Sequence, residues 1–345
     1  MISLKSLESM NVKIIVALII VILLIVSAYF LSTQEVEKEP QEVYRIGILS
    51  GLTYAADASD GFRAGMAELG YVEGQNVVYD VQETDFDMTA YRNALDEFVE
   101  DEVDLIFVFP TEASQEAKAA TQGTSIPVVF AVANIEGTDL VESVAKPGGN
   151  MTGVRYPGPD IALQRFELLY EMTPGIKQML IPYQRGYPIV SSQLELLYQV
   201  AEELDVTLIE LPADDAAEVA TSLQQFATPD GKATIDAILL IPEPLGVTDE
   251  PFLELARFAD EYEIPMGGAL MVVNGYSSLF DIGINHYKTG EQAAPLADEV
   301  LSGTPVGIIM VVSSETFLKF NLGLAQELGL EVSEGILERA EEIIR

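Results

Sequence analysis

The chain has 345 residues, with 55 Asp and Glu against 18 Lys and Arg, a single His, no Cys and no Trp. The length suggests two compact domains. A net charge of −37 excludes binding to a nucleic-acid backbone, because the field repels phosphates. The missing Cys excludes disulfides, thiolate metal sites, a catalytic cysteine and lipid attachment through cysteine, and one His excludes a multi-histidine metal site. No metal and no cofactor are expected.

Residues 14–31 are apolar apart from Ser27. As a helix they span about 27 Å, close to the hydrocarbon thickness of a bilayer. Lys5 and Lys13 precede the stretch, and Glu35, Glu37 and Glu39 follow it. The positive-inside rule then keeps residues 1–13 in the cytoplasm and places everything after residue 31 outside, as a single-pass protein of the cell membrane. Two readings of 14–31 stay open. Its length favours an uncleaved transmembrane anchor; a cleaved secretory signal is the alternative, although Tyr29, Phe30 and Leu31 make a poor small-residue cleavage site. Residues 32–41 are polar, contain Pro40 and read as a solvated linker.

From residue 43 onward, short apolar runs alternate with amphipathic segments, the pattern of βαβ units and parallel sheets. Strands are expected at 43–49, 76–82, 104–109 and 127–132, with helices at 59–69, 91–99 and 112–121. The order restarts near 178. Strands are expected at 178–181, 206–211, 236–241 and from 264, with helices at 191–204, 215–226 and 249–262. Asp104-Leu-Ile-Phe-Val-Phe-Pro110 in the first half is echoed by Asp236-Ala-Ile-Leu-Leu-Ile-Pro242 in the second. The fold class is therefore α/β, with two doubly wound parallel-sheet lobes after an N-terminal transmembrane helix. In such sheets ligands bind at the carboxyl ends of the strands, so the natural site is the cleft between the lobes.

Several stretches carry a resemblance. They include Arg45-Ile-Gly-Ile-Leu49, Gly61-Phe62, Ala67-Glu-Leu-Gly-Tyr-Val-Glu-Gly-Gln-Asn76, Val103-Asp-Leu-Ile106 and Ile126-Pro-Val-Val-Phe130. Lys146-Pro-Gly-Gly-Asn-Met-Thr-Gly153 and Thr289-Gly290 complete the set. Together they resemble the substrate-binding proteins of ATP-binding-cassette (ABC) importers, in the group that includes tryptophan- and tyrosine-type binding proteins, over roughly residues 43–345. The resemblance implies a type I periplasmic-binding-protein fold, a Venus flytrap with three strands crossing between lobes. Lobe 1 would be 42–156 with 283–305, and lobe 2 would be 157–282 with 306–345. It also implies a small-molecule solute, possession of no enzymatic activity, and an ABC permease with its ATPase as partners. The membrane helix would stand in for the lipid-bearing Cys of many members. A departure bears on the ligand: where members place polar and acidic residues, this chain reads Ala269-Leu-Met-Val272, while Asp281 survives. That opens the site to a more apolar or differently charged solute than an α-amino acid.

The candidate ligand-binding residues lie at the expected strand mouths. Ser50 and Tyr54 end the first strand, and Tyr54 can stack on a ligand. Thr111, Glu112 and Ser114 open a helix whose free N–H groups favour an anion, with plain capping the alternative. Asn134 closes the strand at 127–132. Tyr183 and Arg185 follow the strand at 178–181, and the Arg185 guanidinium can clamp a ligand carboxylate or pair with surface acids. Glu243 and Asp281 can accept a ligand cation. His286 is expected on the surface, Gly148-Gly149 in a tight turn, and the Asn150-Met-Thr152 sequon as incidental to that turn. A lobed sensor ectodomain without transport is the alternative function. No nucleophile elbow, phosphate loop or dinucleotide fingerprint points to catalysis.

Overall fold

The computed structural model describes residues 12–33 and 43–345. The two stretches belong to separate compact units. The first is a single helix, α1 (Val12–Thr33). Its described side chains are residues 16, 17 and 19–27, all exposed, and Ser27 donates from its hydroxyl to the Leu24 carbonyl at 2.9 Å. Among the described residues no helix is long and apolar enough to cross a membrane. The expected cytoplasmic segment before residue 12 and the linker at 34–41 lie outside the described residues.

The second unit is built on two sheets. Six parallel strands form the first: β1 (Tyr44–Ser50), β2 (Val77–Glu83), β3 (Leu105–Phe109), β4 (Val128–Ala133), β5 (Met151–Arg155) and, from far down the chain, β13 (Val312–Ser313). Their order is β13-β5-β4-β3-β1-β2. The side chains alternate between two cores, as the two-residue period of a strand demands. Ile46, Ile48, Phe107 and Val129 face α2 (Asp57–Glu68) and α9 (His286–Leu301). Leu49, Ile106, Val108 and Phe130 face α3 (Met88–Glu100) and α4 (Thr111–Ala120). Burial on both faces is the reason the strands read as unbroken apolar runs. Helices α2 and α9 touch backbone to backbone: a Cβ on Gly61 would lie 1.9 Å from the Tyr287 carbonyl oxygen, and one on Gly290 would lie 2.0 Å from that of Ala58. The Gly61-Phe62 and Thr289-Gly290 motifs are therefore packing devices that seat the start of α9.

The second lobe repeats the plan with the parallel order β7-β6-β8-β9, made of β6 (Gln178–Gln184), β7 (Thr207–Ala213), β8 (Ala237–Leu239) and β9 (Met266–Gly267). Met179, Ile181 and Leu239 pack on α5 (Gly158–Met172) and α6 (Val190–Glu203). Leu180, Ile238 and Leu240 pack on α7 (Ala216–Leu223) and α8 (Asp249–Glu261). A short hairpin, β10 (Val272–Val273) with β11 (Tyr276–Ser277), precedes β12 (Phe280–Ile284). A parallel bridge from Gly268 to Asp281 joins β12 to the edge of this sheet. Antiparallel β14 (Thr316–Asn321) and then parallel β15 (Ala340–Ile344) continue outward, with α10 (Leu322–Glu327) and α11 (Glu334–Arg339) between them in the chain.

The chain crosses between lobes after β5, between β12 and α9, and between β13 and β14. The last one falls later than the expected boundary at 305, because Val312 and Ser313 pair with Val154 and Arg155 of the first sheet. Arg155 fastens this hinge: it donates to Asp160 of α5 at 2.6 Å and to Ser313 Oγ at 2.8 Å, and it pairs with Glu136 of lobe 1.

Candidate functional site

A cavity of about 540 Å³ opens where the carboxyl ends of the two sheets face each other. Lobe 1 contributes Leu52, Tyr54, Phe86, Thr111, Glu112 and Asn134 to its wall. Lobe 2 contributes Arg165, Tyr187, Ile189, Glu243, Leu270 and Met271, and the crossings add Tyr156, Asp281 and His286. The lining is mostly apolar or aromatic, the usual make-up of a small-molecule pocket, with few polar groups to orient what enters.

The polar groups are held with differing firmness. Arg165 projects from the buried stripe of α5, one turn from Ile161 and one from Leu169. Its side chain is only 4% exposed. Nε donates to the Ile282 carbonyl at 2.8 Å, Nη1 to the Leu240 carbonyl at 2.9 Å, and Nη2 to Asp281 Oδ1 at 3.3 Å. The guanidinium thus ties α5 to β12 and to the end of β8. Burial pushes the Asp281 carboxyl above the ordinary range, against the pull of Arg165 and Lys319.

Glu243 is a clasp. One carboxylate oxygen accepts from the backbone N–H groups of Gln184 at 2.7 Å and Leu245 at 3.0 Å, and the other accepts from Gly246 at 2.8 Å. Burial still holds it above the usual carboxylate range in spite of these donors. Thr111 Oγ1 accepts from the Asn134 backbone N–H at 3.0 Å, which fixes the loop after β4 to the start of α4. Asn134 Oδ1 is buried without a partner among the described residues. Glu112, by contrast, makes no hydrogen bond or ion pair among the described residues, although it lines the cavity.

Tyr156 and Tyr187 differ from the rim ring of Tyr54. The hydroxyls of Tyr156 and Tyr187 have no hydrogen-bond partner among the described residues. Burial pushes the Tyr156 phenol up to about 12 and raises Tyr187 as well, so both stay protonated at neutral pH. Tyr54 is 79% exposed at the rim. Its ring stands edge-on to His286, with centroids 5.0 Å apart.

Six of the sequence-derived candidates therefore meet in one cavity: Tyr54, Thr111, Glu112, Asn134, Glu243 and Asp281. Four do not. Ser50 is enclosed within β1. Ser114 is fully buried and donates from Oγ to the Pro110 carbonyl at 2.7 Å, a local backbone bond. Tyr183 donates to Glu210 on the neighbouring strand. Arg185 turns away: Gly186, at φ +73°, reverses the chain so that Tyr187 enters the cavity while Arg185 pairs with Asp214 at 3.3 Å and with Glu218. The expected carboxylate clamp is thus a surface ion-pair cluster. His286 also departs from expectation. It lines the cavity, and burial lowers its pKa, so it is neutral at pH 7.

Arg165, Tyr156, Tyr187 and Phe86 were missed. An arginine within the apolar stripe of helix 158–172 is a legible signal, but that helix was not among the expected elements. The sequon is occupied by structure: Asn150 Nδ2 donates to Thr121 Oγ1 at 2.9 Å and to the Ile126 carbonyl at 2.8 Å, and Thr152 is fully buried.

Comparison with known proteins places this geometry. The chain is 29% identical over 277 residues to a tyrosine-binding protein of Clostridioides difficile (strain R20291), covering 79% of this chain and 77% of the relative. Among solved structures it is similar to an ABC domain in complex with L-Trp from Streptococcus pneumonia, at 24% identity and TM-score 0.70, covering 88% of this chain and all of the other. It is also similar to a ligand-free, open substrate-binding protein with adhesive properties from Clostridium difficile, at 23% identity and TM-score 0.73, covering 88% and 99%. These structural likenesses carry the two-lobed fold. The family model for ABC transporter substrate binding proteins matches residues 48–344, nearly the whole of the second unit, and the chain belongs to that family.

Proposed function

We propose that this protein is the extracytoplasmic solute-binding component of an ABC importer, capturing a small solute with an aromatic-sized apolar body and delivering it to a membrane permease. The observation that carries this reading is the cavity of about 540 Å³ between lobes, walled mostly by apolar side chains with the Arg165–Asp281 pair in its lining. Leu270 and Met271 lie in that wall, so the apolar departure seen in the sequence faces the solute. The names of the relatives, which bind tyrosine and tryptophan, agree with a ring-sized ligand. In this reading the lobes work outside the cell membrane.

The test is calorimetry and thermal shift of the full chain in detergent micelles, against a panel of aromatic and aliphatic amino acids, sugars and nucleosides. Saturable binding of a ring-bearing solute, with a raised unfolding temperature, is the expected result. Silence across the whole panel, or binding of sugars alone, would overturn it. Protease added to intact cells should digest the lobes, and a protected domain would reverse the orientation.

A further inference from the structure

The proposed site contains a charge imbalance. Its acidic lining residues are Glu112, Glu243 and Asp281, and its one arginine is Arg165. The guanidinium gives three of its five N–H groups to two backbone carbonyls and to Asp281, and its side chain is only 4% exposed. His286 is neutral. Glu243 is satisfied by three backbone donors, whereas Glu112 has none. The second observation is aromatic. Tyr54, Phe86, Tyr156 and Tyr187 all line the cavity, and the two rim rings are largely exposed, at 79% for Tyr54 and 51% for Phe86. Burial raises the Tyr187 phenol, and the charges of Glu112 and Glu243 raise it further; burial likewise raises Tyr156, with Arg165 opposing and Asp281 adding. Ring faces attract cations, and more strongly where water is excluded. An unpaired carboxylate in a cavity lined by four such rings offers a receptor for positive charge.

Building on the reading of this cavity as a solute site, we propose that the ligand is recognised through a positively charged nitrogen. Glu112 supplies the counter-charge, Tyr54, Phe86, Tyr156 and Tyr187 enclose the ammonium, and no side chain clamps a carboxylate. The solute class is then an organic ammonium, with or without a carboxylate, and not an organic anion.

The experiment is calorimetry on the full chain in detergent at low ionic strength, with three sets of probes. Tyrosine and phenylalanine carry both charges, tyramine and phenethylamine carry the ammonium alone, and 3-phenylpropionate carries the carboxylate alone. The amines should bind within about tenfold of the amino acids, and 3-phenylpropionate should not bind. Glu112→Gln should weaken amine binding at least tenfold without shifting the unfolding temperature. Binding of 3-phenylpropionate equal to that of the amines, or unchanged amine affinity in Glu112→Gln, would overturn the ammonium assignment while leaving solute binding intact. Binding of tyrosine or phenylalanine without the amines would overturn it too, by demanding a carboxylate site. If none of these probes binds, the ring-bearing ammonium class is wrong, and the wider panel above judges solute binding on its own.

Discussion

Replacing Arg165 tests whether the cavity wall depends on one buried guanidinium. In Arg165→Met the apolar stem is kept and the charged head is lost. The Leu240 and Ile282 carbonyls, now bonded at 2.9 and 2.8 Å, would lose charged donors in a water-poor setting. A buried polar group left unpaired costs about 1–3 kcal/mol, and breaking a buried ion pair costs about 3–5 kcal/mol when the remaining charge stays dry. Asp281 keeps 26% of its side chain exposed, and burial already favours its protonated form, so its share lies at the low end. Two carbonyls and the low-end share of the pair together give about 5 kcal/mol or more, a substantial part of the stability of an ordinary domain. Urea unfolding of Arg165→Met at pH 7 measures it. Pairing it with Asp281→Asn in a double-mutant cycle should return a coupling above about 0.5 kcal/mol, because the two side chains are in contact. A loss below about 1 kcal/mol in the single variant, or strict additivity in the cycle, would refute the view of Arg165 as the strut between α5, β8 and β12.

Two further predictions follow from the placement of charge. Arg185→Ala should leave solute affinity and unfolding temperature nearly unchanged, since its side chain is 47% exposed and its ion pairs are solvated; a tenfold loss of affinity would return Arg185 to the site. His286 has a folded-state pKa lowered from 6.5 by burial, so the unfolded chain binds the proton more readily. Its contribution to stability is full above about pH 6.5 and is lost as pH falls through the lower folded value. Unfolding free energy should therefore drop more steeply between pH 7 and 5 in the parent than in His286→Phe, and parallel profiles would place His286 in solvent.

The sequence alone determined the α/β class with parallel sheets, because burial of a parallel sheet on both faces writes itself as runs such as Leu105–Phe109 and Val128–Ala133. It also placed the cavity in general terms, since strand mouths are where Thr111, Asn134 and Glu243 had to lie. The elements beyond 280 were less legible, as β13 has only two residues and takes its identity from the partner strand. Which side chains meet was decided by tertiary structure. Arg185 and Tyr187 are two residues apart and go to different places because of the backbone turn at Gly186. Arg165 lies far along the chain from Leu240 and Ile282, and it joins them only because α5 packs on the lobe 2 sheet beside β12. A charged residue at a strand mouth announces itself in sequence, but its partner does not: abundant acids at Asp214 and Glu218 captured Arg185, while the carbonyls of a folded sheet captured Arg165.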